Sequence, residues 1–141
     1  MTKELKTVIN YRRQKARETL ADAQLLLENQ RWRSCVNRIY YALFYEVIAL
    51  LLTRKLYAST HTGVKALFNQ HFAKTGIVSG HWGSFYSKMF DYRQQADYED
   101  EEKCNADQTK QWFFKAQEFI SLIEEVIEYE LTKDNVEDDK R

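Results

Sequence analysis

No proline occurs in this chain, and its four glycines all lie between residues 63 and 83. Because proline and glycine are the residues that most strongly interrupt helices, the segments on either side of this stretch are free to form long helices. No segment alternates apolar and polar residues for long enough to predict a strand. The chain is therefore predicted to be all-α.

Apolar residues recur at helical spacing in five segments. Capping residues mark two of the predicted starts, because Thr60 and Asn105 can each accept a hydrogen bond from a backbone N–H in the first turn. The glycine-containing stretch 74–83 is predicted to be a loop. The predicted helices cover about 11–30, about 32–52, a short segment after Thr60, about 82–98, and a segment after Asn105.

These helices predict an up-and-down bundle of about five helices, four of them long. The length of 141 residues fits a single domain. We expect one domain over residues 1–141, with its core at about 10–132 and a polar, frayed tail at 133–141.

The second predicted helix is apolar on two faces. A helix of this kind lies at the centre of a bundle, or it shares one face with a second subunit. We therefore predict a homodimer. One stripe contains Val36, Ile39, Tyr40, Leu43, Val47 and Leu50, and the other contains Phe44, Ile48 and Leu52 beside Asn37 and Tyr41.

The formal net charge is zero, but the charges are unevenly distributed. Residues 1–65 contain 12 Lys and Arg against 5 Asp and Glu, and residues 66–141 contain 9 against 16. The basic half can contact nucleic acid or an acidic partner. Alternatively, the two halves attract each other within the fold or in a dimer.

Several classes of protein do not fit this sequence. The N-terminal segment is charged, and the apolar run 39–52 is too short to span a bilayer and is interrupted by Glu46. The two cysteines, Cys35 and Cys104, lack metal-binding spacing and are expected to be free thiols. No histidine pair has helical zinc spacing, and no phosphate-binding glycine loop is present. We expect a cytoplasmic protein that binds no metal, cofactor or membrane.

Arg93 lies on the apolar side of the fourth predicted helix, with Asp97 one turn further along. An arginine in such a position needs partners, because an unpaired buried guanidinium is costly. In one interpretation it is a strut bonded to Asp97, to tyrosine hydroxyls or to loop carbonyls. In the other it opens onto a cleft or a dimer interface and faces an anion such as an RNA phosphate.

A polar edge on the second predicted helix contains Asn37, Arg38, Tyr41 and Tyr45. It is either ordinary amphipathic packing in which the tyrosine hydroxyls reach water, or one wall of a polar pocket. If the second and fourth helices pack together, Arg93 completes that pocket.

Three segments of the chain, taken in order, match the motifs of a known family. They are NRIYYALFYEVIALLL (37–52), THTGVKALFNQHFAKTG (60–76) and FDYRQQADYED (90–100). Together they resemble the HEPN domains of prokaryotes, in particular a small stand-alone subgroup with an Asn-Arg-x-Tyr-Tyr-Ala helix, a His-Ser/Thr-Gly loop and an Arg-x-x-x-Asp-Tyr ending. The resemblance covers roughly residues 10–130. It implies a helical bundle that forms a homodimer. Many members are metal-independent ribonucleases, and many small ones are toxins encoded beside a minimal nucleotidyltransferase antitoxin.

The ribonuclease motif of that family is an arginine followed, after four to six residues, by a histidine. Arg93 matches the arginine, but Tyr98, Glu99 and Asp100 occupy the places of the histidine. All three histidines of this chain precede Arg93. An acid–base role would therefore fall to Asp97 or to a histidine from another segment.

The resemblance and this departure leave three hypotheses. The first is a homodimeric toxin-side module that docks a nucleotidyltransferase and binds nucleotide or RNA near Arg93 and Tyr98. The second is a metal-independent toxin ribonuclease in which Arg93 acts with Asp97 or His61 as acid–base group. The third is a structural adaptor without a ligand.

Overall fold

The computed structural model describes residues 1–96 and 105–139, and this part of the chain contains no strand. The all-α prediction is confirmed. The described residues form five α-helices, of which the third continues into a short π-helical turn. They are α1 (Lys3–Glu28), α2 (Trp32–Thr53), α3 (His61–Phe68), the π-turn (Asn69–Ala73), α4 (Gly80–Ala96) and α5 (Ala106–Asp139).

Both predicted capping residues stand at helix starts. The hydroxyl oxygen of Thr60 accepts a hydrogen bond from the N–H of Gly63 at 3.0 Å, and α3 begins at the next residue. The side-chain oxygen of Asn105 accepts from the N–H of Gln108 at 2.8 Å, immediately before α5. Each cap satisfies a backbone donor that has no partner within its own helix.

The loop predicted over 74–83 is wrong in its second half, because α4 begins at Gly80. Gly83 lies inside the first turns of that helix. A Cβ atom at position 83 would lie 2.8 Å from the Cβ of Ala73, so a larger residue would separate α4 from the π-turn. The glycine serves close helix packing here rather than a loop.

Helix α2 lies at the centre of the bundle, where it packs against α1, α4 and α5. All six residues of its first apolar stripe are fully buried. Those of its second stripe, Phe44, Ile48 and Leu52, are only half-buried. By length and composition α2 could cross a membrane, but 61% of its most apolar stretch is buried within the bundle. Its central position accounts for its apolar character.

The outer helices extend further than their apolar patterns predict. Helix α1 starts at Lys3, and α5 continues to Asp139, past the predicted core limit at 132. The N-terminal ammonium lies 2.9 Å from a carboxylate oxygen of Asp134. This ion pair joins the start of the chain, just before α1, to the C-terminal part of α5. The predicted apolar face of α5 is buried throughout, at Phe113, Ala116, Ile120, Ile123 and Ile127.

A carboxyl group interrupts the core where α1, α2 and α5 meet. Glu46 of α2 is fully buried, and no described residue donates a hydrogen bond to either of its oxygens. Its neighbour Glu124 accepts from Nε of Arg13 at 2.9 Å. Burial, and then the adjacent Glu124 carboxylate, raise the pKa of Glu46 to about 10. Glu46 therefore keeps its proton at neutral pH.

Candidate functional site

Arg93 is held against α2 by two tyrosines. Its Nη1 donates a hydrogen bond to the hydroxyl of Tyr41 at 2.9 Å. Its Cζ lies 5.0 Å from the ring centroid of Tyr40 and 5.7 Å from that of Tyr41, which are cation–π distances. The side chain is half-buried rather than fully buried. Arg93 is thus a strut with tyrosine partners that keeps part of its surface accessible.

Two predicted site residues, Asp97 and Tyr98, lie outside the described residues. Within residues 1–93 and 105–134, whose side chains the structure describes, no carboxylate forms an ion pair with Arg93. Its Nε is buried and has no hydrogen-bond partner in the same part of the chain. The described surroundings therefore leave the positive charge of Arg93 uncompensated.

His61 is the first residue of α3, and the local sequence fixes its position. Thr60 caps the helix, and Gly63 allows the turn to approach Ala58, since a Cβ at position 63 would lie 2.8 Å from the Cβ of Ala58. The imidazole stacks on Phe44, with ring centroids 4.2 Å apart and planes 15° from parallel. The His-Thr-Gly sequence thus directs His61 onto α2.

Tyr40 links His61 to Arg93. Its hydroxyl lies 2.8 Å from Nδ1 of His61, while its ring underlies the guanidinium of Arg93. Burial raises the pKa of Tyr40 to about 12, so the hydroxyl keeps its proton at neutral pH. The hydroxyl can therefore donate a hydrogen bond to Nδ1 of His61. Nδ1 is then the acceptor, and the neutral imidazole carries its own proton on Nε2.

The environment of His61 favours its neutral form. Burial and then the positive charge of Arg93 lower its pKa below the ordinary value of 6.5. In the tautomer that Tyr40 favours, Nε2 carries a proton and acts as a hydrogen-bond donor. This arrangement is suited to holding an oxygen atom of a ligand, and it makes His61 a poor base at Nε2 unless the tautomer changes.

The predicted polar edge of α2 adjoins Arg93 through Tyr41. Nε and Nη2 of Arg38 donate to the side-chain oxygen of Asn37 at 3.1 and 2.7 Å. The Cζ of Arg38 lies 5.1 Å from the ring centroid of Tyr41, whose ring is 6.1 Å from that of Tyr45. All four residues of this edge are half-buried. The described residues that were predicted to line a pocket between α2 and α4 therefore lie near one another.

From the sequence, Tyr40 was assigned to the apolar stripe and to the Asn-Arg-x-Tyr-Tyr-Ala motif, but not to the candidate site. A signal was available, because a tyrosine within a buried stripe needs a partner for its hydroxyl. Nothing in the spacing identifies that partner, since His61 is 21 positions away along the chain. Phe44, which stacks on His61, was likewise assigned only to an apolar stripe.

The chemistry of the described site consists of two guanidinium groups, a neutral imidazole and several tyrosines. Among the described residues, no group of three or more histidine, cysteine, aspartate or glutamate side chains is arranged to hold a metal ion. Guanidinium groups form charge-assisted bonds with phosphate oxygens. The arrangement can therefore bind an anion, and it brings one acid–base group, His61, to the same tyrosine as Arg93.

Comparison with known proteins assigns the family. The sequence profile described as the HEPN domain matches residues 9–127. A UPF0332 protein of Thermotoga maritima is 49% identical over 125 residues, which cover 89% of this chain and 95% of the relative. A Methanocaldococcus jannaschii protein named "Putative toxin MJ0605" is 32% identical over 112 residues, which cover 79% of this chain and 83% of the relative. The chain belongs to the HEPN domain family.

Proposed function

We propose that this HEPN domain is a homodimeric, toxin-side binding module that holds nucleotide or RNA in a cleft beside Arg93. The position of Arg93 carries the proposal. Two tyrosines orient its guanidinium, and no carboxylate among the described residues neutralises it. A fixed and uncompensated guanidinium retains its charge for a phosphate group.

The toxin part of the proposal is supported by relatives. The Methanocaldococcus jannaschii protein named as a toxin candidate is similar over most of both chains. Toxins of this family are commonly encoded beside a minimal nucleotidyltransferase. We therefore propose a nucleotidyltransferase antitoxin as the partner. Co-expression with the neighbouring gene product, followed by size-exclusion chromatography, tests this part.

The dimer part of the proposal is supported by the second stripe of α2. Phe44, Ile48 and Leu52 are half-buried and line an apolar groove of about 320 Å³. Tyr57, which also lines the groove, is 80% exposed. Because Phe44 also stacks on His61, this face reaches the candidate site. A second copy bound here would narrow the cleft beside Arg93.

Ligand binding is tested by fluorescence anisotropy with a labelled 12-nucleotide RNA and a labelled nucleotide. We expect Arg93→Ala to weaken binding about tenfold or more, and Arg93→Lys to restore only part of it because lysine lacks the planar fork. Arg17→Ala is the matched control, since Arg17 is an exposed arginine on α1. Equal affinities for wild type and Arg93→Ala would contradict the proposal.

A metal-independent ribonuclease is the second candidate, and the link through Tyr40 favours it. RNA cleavage needs a base for the 2′-hydroxyl and an acid for the leaving 5′-oxygen. Tyr40 connects His61 to Arg93, although all three residues are far from one another in the sequence. Asp97 is the other candidate acid–base group.

The two functions are separated by incubating total RNA with purified protein in the presence of EDTA. Cleavage by wild type that is lost in both Arg93→Ala and His61→Ala would replace the binding module with the ribonuclease. Asp97→Asn tests the other candidate group, and His81→Ala is the control at an exposed histidine. Absence of cleavage together with Arg93-dependent binding supports the binding module.

A further inference from the structure

An open groove lies on the side of α4 that faces away from Arg93. It has a volume of about 720 Å³ and runs between α4 and the π-turn. Ser84 and Asp91, which line it, are about 180° and 160° around α4 from Arg93, at 100° per residue. None of the described residues of the candidate site lines this groove. Whatever binds here therefore uses a separate set of side chains.

Small residues bring the π-turn close to α4 and leave polar atoms at the floor of the groove. A Cβ atom at Gly83 would lie 2.8 Å from the Cβ of Ala73 and 3.1 Å from Oδ1 of Asn69. Nδ2 of Asn69 donates a long hydrogen bond to Oγ of Ser87 at 3.4 Å, which holds the amide across the floor. Short π-helical turns are rare and frequently occur at functional sites.

Positive charge is concentrated near the start of α4. Lys74 directly follows Ala73, which lies beside Gly83, and its side chain is exposed. Within residues 1–93 and 105–134, no carboxylate forms an ion pair with Lys74 or Lys88. The first residue of α4, Gly80, also lines the groove, so the partial positive charge of the helix start adds to that of Lys74. This part of the groove favours an anionic group.

The opposite end of the groove offers acceptors and an aromatic ring. The carboxylate of Asp91 is exposed there and has no ion-pair partner within the same described side chains. The ring of Tyr92 packs edge-on against Trp112, with centroids 4.4 Å apart, which fixes its orientation. Nζ of Lys88 lies 5.9 Å from the centroid of Trp112. This end suits hydroxyl groups better than a second anion, because Asp91 would repel an anion and accepts hydrogen bonds from hydroxyls.

The two ends together define a class of ligand. Lysine ammonium groups bind phosphate as point charges, while carboxylate, amide and hydroxyl side chains exchange hydrogen bonds with hydroxyl groups. Inorganic phosphate would fill little of the groove, and an uncharged sugar would leave the lysines unused. Sites for small molecules usually have volumes of about 300–1,000 Å³, which includes the volume of this groove.

We propose that the groove between α4 and the π-turn binds a small phosphorylated sugar or polyol. Its phosphate lies against Lys74 at the start of α4, and its hydroxyl groups contact Ser87 and Asp91, with Lys88 between the two parts. The proposal does not depend on the proposed function, because the two sites share no described residue.

Isothermal titration calorimetry of the full-length protein tests it with three phosphorylated probes: glycerol 3-phosphate, ribose 5-phosphate and glucose 6-phosphate. Inorganic phosphate and glucose are the reference compounds. At least one phosphorylated probe is expected to bind about tenfold or more tightly than either reference, because only it uses both ends of the groove. No saturable binding of any of the three up to about 10 mM would overturn the proposal.

Variants assign the binding to individual side chains. Lys74→Gln and Lys88→Gln remove a charge at exposed positions and should each weaken binding about tenfold. Ser84→Phe should abolish binding, because the added ring occupies the groove from an exposed position. Lys3→Gln on α1 and Ser121→Phe on α5 are matched controls at exposed residues outside the groove, and both should bind as the wild type does.

Backbone amide spectra locate the ligand, since the chain has only four glycines. Addition of the best probe should shift the amide signals of Gly80 and Gly83, which line the groove, and leave that of Gly63, beside His61, in place. Shifts at Gly63 alone would overturn the proposal. So would binding that Ser84→Phe retains and Arg93→Ala loses, because the ligand would then occupy the cleft beside Arg93. Equal affinity for inorganic phosphate would also overturn it, since the hydroxyl groups would then contribute nothing.

Discussion

Nη1 of Arg93 donates a hydrogen bond to the hydroxyl oxygen of Tyr41 at 2.9 Å, which joins the last turns of α4 to the middle of α2. The acceptor is neutral, so this bond fixes the position of the guanidinium without reducing its charge. A carboxylate in the same place would have held the arginine equally well but cancelled the charge that a phosphate needs. Its fixed position, and a charge that no carboxylate among the described residues neutralises, make this pair the centre of the candidate site.

The Arg93–Tyr41 bond is expected to contribute modestly to stability. Arg93 is half-buried, so Arg93→Ala and Tyr41→Phe should each lower the free energy of unfolding by about 1–2 kcal/mol. That is less than the 3–5 kcal/mol typical of breaking a fully buried ion pair. Urea denaturation measures both, with Tyr129→Phe as the control at an exposed tyrosine. A loss near 4 kcal/mol would indicate that Arg93 has a buried carboxylate partner.

The pKa of His61 is expected to lie below 6.5, as an NMR titration of its ring protons can measure. Burial is the larger cause and the charge of Arg93 the smaller, so Arg93→Gln should raise the pKa only part of the way back. Arg17→Gln, on the exposed side of α1, should leave it unchanged. A His61 pKa unaffected by Arg93→Gln would show that the two side chains do not share one site in solution.

Gly63→Ala is expected to destabilise the start of α3. The added Cβ would lie 2.8 Å from the Cβ of Ala58 and 3.0 Å from the hydroxyl oxygen of Thr60, so backbone and cap must move. We expect a loss of about 1–3 kcal/mol, measured by urea denaturation, and weaker ligand binding as His61 shifts. Gly80→Ala is the matched control, because nothing lies within 4 Å of its added Cβ. Equal stability of the two variants would contradict the close packing at Gly63.

Glu46 is expected to make the domain less stable as pH rises. Its pKa is about 10 in the folded state against 4.5 as its ordinary value, so the folded state binds one more proton between these values. Its stabilising contribution is complete below about pH 4.5 and is lost as pH rises through 10, at up to about 1.4 kcal/mol per pH unit. Burial acts to raise the pKa of Glu124, but the hydrogen bond from Arg13 lowers it below its ordinary value of 4.5. The contribution of Glu124 to stability is therefore lost only as pH falls below 4.5.

Melting temperatures between pH 6 and pH 9 measure this effect. The wild type should melt at progressively lower temperature, and Glu46→Gln, which cannot ionise, should show a flatter profile and higher stability at pH 9. Glu118→Gln is the control, because that side chain is exposed on α5. Parallel profiles for wild type and Glu46→Gln would mean that Glu46 is ionised or hydrated in the folded protein.

The second stripe of α2 is expected to form the proposed dimer interface. Ile48→Lys places a charge in the half-buried apolar groove and should convert the dimer to a monomer at micromolar concentration. Tyr129→Lys, at a 65% exposed position on α5, should leave the association unchanged. Sedimentation velocity distinguishes the two states. A wild-type monomer of 16.9 kDa would contradict the homodimer itself.

Local sequence was sufficient to predict the helices and where two of them begin. The caps Thr60 and Asn105 act within four residues, and the six-residue stripe of α2 repeats at the period of the helix, so neither depends on the rest of the fold. The start of α4 was placed too late, because glycine was taken as a sign of a loop. Gly83 is required instead by the approach of Ala73, a contact between two elements.

The sequence by itself determined an all-α bundle around a two-faced central helix, and it identified Arg93 and the polar edge of α2 as unusual. Only the tertiary structure decided what these residues contact. Tyr40 joins His61 to Arg93, and Glu46 meets Glu124, because three helices converge on α2 from different parts of the chain. Helical periodicity reports which side of a helix faces inward, but the partner found there depends on the packing of distant segments, and so does every pKa shift described in this site.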